Sequence, residues 1–237
     1  MAYYSIFPEK DATIYSHPDR TGLNTGRDEI LELLEEKDSA KEIYYPSRFL
    51  IKFKNTEIKD VIENKLTGVA RAVKNENCQV CLEVFASEHK SLHANHIVQV
   101  YAVSQSWDEG TGRFLNNPTS SNGVTWDMRT DTGSSARAIW ATSSFASNST
   151  GSCCDFMPIS GGGTWWTGTN YVAETSFSNA DNLDLNVNVT RLIQFFSASY
   201  YQGSSYPTGI ENEGFLIKKP TATECDGSAS FGELQYF

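Results

Sequence analysis

Asn182-Leu183-Asp184-Leu185-Asn186-Val187-Asn188-Val189-Thr190 alternates apolar and polar side chains without a break. Successive residues of a strand point to opposite faces, so this period of two sets Leu183, Leu185, Val187 and Val189 on one side and Asp184, Asn186 and Asn188 on the other. One face is buried and the other is wet, as in a sheet packed on one side. Thr190 is then placed to cap a helical turn carrying Leu192, Phe195 and Phe196 on one side.

Outward from this stretch the chain keeps the same character. Residues 79–85 and 97–103 are rich in Val, Ile, Leu and aromatics, are separated by a polar loop, and read as an antiparallel pair. In residues 48–53, Phe49, Ile51 and Phe53 alternate with Arg48, Leu50 and Lys52, which predicts a half-buried strand. Asn55 and Thr56 offer caps for a helix in which Ile58, Val61, Ile62 and Leu66 form an apolar stripe ending near Gly68. Residues 12–15 read as a short strand closed by the turn-rich residues 17–22. Residues 28–37 (DEILELLEEK) have helical propensity, yet Ile30/Glu32/Leu34 and Leu31/Leu33/Glu35 also fit two faces of a strand, and pattern leaves both open. Residues 214–218 predict a further strand, and residues 234–237 the beginning of another.

From Ser104 to Gly163 the composition shifts to Ser, Thr, Gly and Asn with isolated Trp and Phe residues, which reads as long irregular decoration on a rigid frame. The expected fold class is all-β: an antiparallel β-sandwich with one or two short helices and long loops. Residues 1–237 form one domain in this reading, with 104–181 a loop-rich insertion between core strands.

The 237 residues are 39% hydrophobic and 20% charged, enough apolar surface for a core and too little charge for a disordered chain. A formal net charge of −10 repels a polyanion, so nucleic acid is not an expected partner. No run approaches the roughly 18 apolar residues of a membrane-spanning helix, and residues 1–10 lack a basic region followed by an apolar one, so no membrane partner is expected. Five cysteines are an odd number without the spacing of a small disulfide scaffold, and free thiols are expected. The neighbours Cys153 and Cys154 have Cα atoms about 3.8 Å apart, too close for an unstrained mutual disulfide.

Few residues suggest chemistry. His89, His93 and His96 fall at steps of four and three, but they sit in a predicted connection between strands, without HExxH or an evident fourth ligand, so an ordinary polar loop is the better reading. Cys78 and Cys81 form a lone CxxC whose members point to opposite faces of a strand. Asp108 and Glu109 are adjacent and cannot easily flank one glycosidic bond, which favours a turn-forming or hydrogen-bonding role. No GxSxG, Walker loop or dinucleotide fingerprint is present, so no enzymatic activity and no cofactor are expected. Trp107, Trp126 and Trp140 each adjoin a strand-like segment and are expected in the core. Trp165, Trp166, Tyr171, Tyr200, Tyr201 and Tyr206 lie in Gly-, Ser- and Thr-rich loops, where large aromatics either fold back over the ends of the core or anchor a partner. They are the candidate interface or ligand-binding residues.

The ordered segments Ala12-Thr13-Ile14-Tyr15, Arg48-Phe49-Leu50-Ile51-Lys52-Phe53, Trp107-Asp108-Glu109-Gly110-Thr111, Gly123-Val124-Thr125-Trp126, Asn188-Val189-Thr190 and Gly214-Phe215-Leu216-Ile217-Lys218 resemble the DNRLRE family, jelly-roll sandwiches related to carbohydrate-binding modules. The resemblance implies a jelly roll, a strand over residues 29–35, and a short helix led by Thr190 across the end of the sandwich. It also implies a further closing strand beyond a segment like residues 231–237, and without one an open sheet edge is expected as a docking site. Calcium is a common structural ion in related sandwiches, but no dense oxygen-ligand loop marks it here.

The wording around Trp107 and Trp126, with Asn117-Pro118 between them, is similar to structural proteins of tailed phages, notably cyanobacterial ones. It implies a non-catalytic virion protein of the neck, tail, baseplate, fibre or capsid decoration, made in the host cytoplasm. Its partners would be other virion proteins and its own copies in a homo-oligomer or symmetric array. A carbohydrate-binding module with a glycan partner is the alternative, and a sugar-cleaving enzyme a third class.

Overall fold

The computed structural model describes residues 2–38, 43–73, 77–89, 95–116, 118–132, 137–141, 161–178, 184–198, 208–220, 224 and 235–236. In chain order the elements are β1 (Pro8–Tyr15), β2 (Glu32–Leu33), β3 (Glu35–Asp38), β4 (Ile43–Phe53), α1 (Asn55–Asp60), β5 (Cys81–Val84), β6 (Glu88–His89), β7 (Asn95–Ala102), β8 (Met128–Asp131), β9 (Arg137–Ile139), β10 (Val172–Ser178), β11 (Leu185–Asn188), α2 (Thr190–Ser197), β12 (Phe215–Lys218) and β13 (Gln235–Tyr236). The ladders are antiparallel, and the protein is an all-β sandwich with two short α-helices.

The main sheet runs β1-β4-β12-β7-β10, with β3 on the first part of β4. Alternation sends Phe49 and Ile51 of β4, Val98, Val100 and Ala102 of β7, and Phe215 and Ile217 of β12 to one face. Leu82 of β5, Leu185 and Val187 of β11, Ile58 and Ile62, and Leu192, Ile193 and Phe196 of α2 cover that face. Of these, Phe49, Ile51, Ile58, Ile62, Leu185, Val187, Leu192 and Phe196 are side chains whose spacing predicted burial. Leu183 lies outside the described residues.

The opposite face is covered over β1, β4 and β12, whereas Ile97 (45% exposed), Glu174 and Ser176 leave its β7–β10 margin open to solvent. Ala12, Ile14, Leu50 and Leu216 meet Trp107, Val124, Trp126, Trp140 and Trp165, with Tyr101 at the margin. The stretch expected as decoration therefore supplies a second core, and β10, within residues 104–181, is a strand of the main sheet. Isolated tryptophans have no period to read, yet each can bury roughly 150–250 Å². β4 is correspondingly not half-buried: Arg48 and Leu50, on the face expected to be wet, are as inaccessible as Phe49.

Several local expectations change. Residues 81–84 and 95–102 do not pair with each other. β5 pairs with β11 in the second sheet, whereas β7 lies between β12 and β10 in the first. Within residues 28–37 the extended state wins over helical propensity from Glu32 onward, as the two short strands β2 and β3 rather than one strand over 29–35, because Leu33 and Leu34 are buried and the Ser47 hydroxyl bonds the backbone on both sides of Leu33. The stripe after β4 starts as α1, widens into a π-helical turn at Val61–Lys65, and ends at Leu66, where ψ is 145°. Neither expected capping residue caps: Lys54 occupies the N-cap of α1, and the Asn55 side chain instead accepts from Asn212 (2.9 Å). Thr190 is likewise the first residue of α2, and its hydroxyl accepts from the Val80 N–H (2.8 Å), tying α2 to the entry of β5.

Candidate binding surface

The loops that close the second core are locked by one asparagine. The Asn24 amide donates to the carbonyls of Glu109 and Val124 (both 2.7 Å), and its Oδ1 accepts from the N–H of Gly112 (2.7 Å) and Gly26 (3.4 Å). Gly110, at φ +85°, packs against this side chain and the Asn122 carbonyl, and Gly123, at φ +113°, sits against Gly110. Glu109, Gly110, Gly123 and Val124 thus belong to a framework built around Asn24. Asp108 and Glu109 serve it too, accepting from the Thr130 hydroxyl and the Asp11 N–H (3.1 Å). Burial and the Glu109 charge push the Asp11 carboxyl up to about 6.

Behind the tryptophans lies a buried ion network. Glu224 accepts from Arg48 Nε (2.6 Å) and Nη2 (2.8 Å) and pairs with Lys218 Nζ (2.8 Å), while Arg48 Nη1 donates to the Gly162 carbonyl (2.6 Å). The Arg48 guanidinium is 4.7 Å from the Trp126 ring and 5.3 Å from that of Trp165. Burial would raise the Glu224 carboxyl, but the two cations outweigh it and hold the group below its ordinary value. Burial brings Lys218 down to about 8 against the pull of Glu224. A second buried pair, Lys219 with Glu35, lies at 3.3 Å. Being enclosed, these charges hold loops to the sheet rather than meet a ligand.

The predicted aromatic residues separate. Trp165 bridges to Val103, is 3% exposed, and lies 5.4 Å from the Tyr101 ring, so it is a core residue. Trp166 points the other way and is half-buried, 5.8 Å from Tyr171, which in turn lies 4.7 Å from Phe195. Trp166 and Tyr171 therefore share one ledge. Tyr200, Tyr201 and Tyr206 lie outside the described residues, as do His93, Cys153 and Cys154. His89 and His96 sit on separate strands, and no group of three metal-ligating side chains occurs among the described residues. Cys78 and Cys81 are free thiols. No described helix is long and apolar enough to cross a membrane.

Sequence reading missed the most exposed aromatics among the described residues. Phe85 is 70% exposed, two residues beyond Glu83 on the outer side of the second sheet, where the Tyr3 hydroxyl meets the Glu83 carboxylate (3.4 Å). Tyr3 is 77% and Phe7 79% exposed. The signal for Phe85 was present, since Cys81, Glu83 and Phe85 alternate with buried Leu82 and partly buried Val84. Tyr3 and Phe7 precede β1 in an irregular arm and offer no period.

A scan against protein-family models, a search of curated proteins and a search of solved structures each returned no match.

Proposed function

We propose that this protein is a non-catalytic structural component of a tailed-phage virion, working through protein–protein contacts. The observation that carries the contact reading is the set Tyr3, Phe7 and Phe85, large aromatics held toward solvent by a scaffold whose main sheet carries a core on each face. Aromatic side chains are enriched where protein interfaces form. The virion assignment rests on the resemblance around Trp107 and Trp126. Mass spectrometry of purified virions of the phage that encodes this chain is expected to find its peptides. Phe85→Asp, at a position that packs little, is expected to leave folding intact and lower the amount incorporated. Virions that lack the chain would refute the assignment.

Glycan binding is the second reading, favoured by the Trp166–Tyr171 ledge, where two half-buried rings are 5.8 Å apart and tilted by 36°. Such a pair can stack on a sugar face. A glycan array that lights up with the native protein and fades with Trp166→Ala would favour it.

A further inference from the structure

We infer that a second copy of this chain adds its β10 to the outer edge of β10, antiparallel, about a two-fold axis at Thr175. The inference deepens the assembly reading and rests on it.

The two edges of the main sheet are finished differently. At β1 the outward backbone is occupied by side chains: the Thr25 hydroxyl bonds both the N–H and the carbonyl of Thr13 (3.0 and 2.8 Å), and Glu109 takes the N–H of Asp11. Such cover prevents another strand from adding. β10, which β11 approaches without pairing, has no such side-chain cover among the described residues. It pairs with β7 in one unbroken register from Val172 opposite Tyr101 to Ser178 opposite Asn95. The Ala102 N–H donates to the Tyr171 carbonyl (3.2 Å), which fixes the phase. Residues 173, 175 and 177 direct their backbone groups to β7, whereas Val172, Glu174, Ser176 and Ser178 direct theirs outward.

The outward set is self-complementary. With the axis at Thr175, Glu174 of one protomer stands opposite Ser176 of its partner and Val172 opposite Ser178, so the whole strand is paired. Two bonds per hydrogen-bonded pair give about eight across the seam. Thr175 meets its symmetry mate in a close non-hydrogen-bonded pair, where Thr–Thr contacts are favourable. Moving the axis to Glu174 would set two carboxylates face to face and shorten the overlap. Moving it to Ser176 shortens the overlap as well. The Thr175 register thus combines the longest pairing with no like charges directly opposite each other, the two Glu174 side chains standing diagonally.

Ser176→Pro tests the seam without touching the ladder to β7, because the N–H it removes points outward and proline is tolerated on edge strands. By analytical ultracentrifugation at high micromolar concentration the native protein is expected to be a dimer and Ser176→Pro a monomer with an unchanged circular-dichroism spectrum. Thr175→Cys, with Cα atoms about 4.5 Å apart across the axis, is expected to give an oxidised covalent dimer that the native protein, treated alike, does not. A monomeric native protein, or a Ser176→Pro dimer, overturns the inference. Should Ser176→Pro misfold, failure of Thr175→Cys to cross-link overturns it. Native protein that is monomeric yet present in virions would sink this edge pairing and leave the assembly reading standing; a dimer absent from virions would do the reverse.

Discussion

Glu224→Gln is expected to destabilise the protein by about 3–5 kcal/mol at neutral pH, because it leaves Arg48 and Lys218 buried without their counter-charge. Chemical denaturation of the native and variant proteins measures the difference. The expected pH dependence follows from the direction of the Glu224 shift. Its carboxyl is held below the ordinary value in the folded state, so its contribution is present above the unfolded value, about 4.3, and is lost as pH falls through the folded one. The gap between native and variant should therefore narrow in acid. Replacing all three charges together, with Arg48→Met, Lys218→Met and Glu224→Leu, is expected to cost less than Glu224→Gln alone, since no uncompensated charge remains. A Glu224→Gln effect below about 1 kcal/mol would show that the network is hydrated rather than enclosed.

Gly110→Ala is the second large effect, about 4 kcal/mol or more. The residue sits at φ +85°, where a Cβ is strained, and that Cβ would collide with the Asn122 carbonyl and the Asn24 side chain. Neither can retreat, since Asn24 holds the two loops by three hydrogen bonds and the Asn122 carbonyl accepts from the Thr111 N–H (3.3 Å). Gly22→Ala is the matched control. Its Cβ would meet nothing within 4 Å, and its effect should stay within about 0.5 kcal/mol. Thermal unfolding of the two variants separates a general intolerance of alanine from the specific interlock.

The sandwich was legible where one face is wet and the other dry. Leu185 and Val187 alternate with Asn186 and Asn188 both in sequence and in exposure. β4 was only half legible because Arg48, a charged residue, occupies a core position, and its partner Glu224 is 176 residues away. No local pattern reports such a pairing. Strand partners were misjudged for the same reason: β5 and β7 are sequence neighbours, yet β5 finds its partner at residues 185–188. In the candidate surface, adjacent Trp165 and Trp166 have the same composition around them and opposite directions. Only the bridge from Val103 to Trp165 decides which one is core.

The central claim is that the loops carrying Trp107, Trp126, Trp140 and Trp165 form a second core on the β1, β4 and β12 part of the main sheet. Acrylamide quenching of a Trp166→Phe variant reads those four rings alone, since the chain has five tryptophans. The expected result is emission from shielded indoles that acrylamide barely quenches until the protein is unfolded. Emission quenched as readily as free tryptophan in the folded variant would contradict the account, for the sheet would then be open on that face.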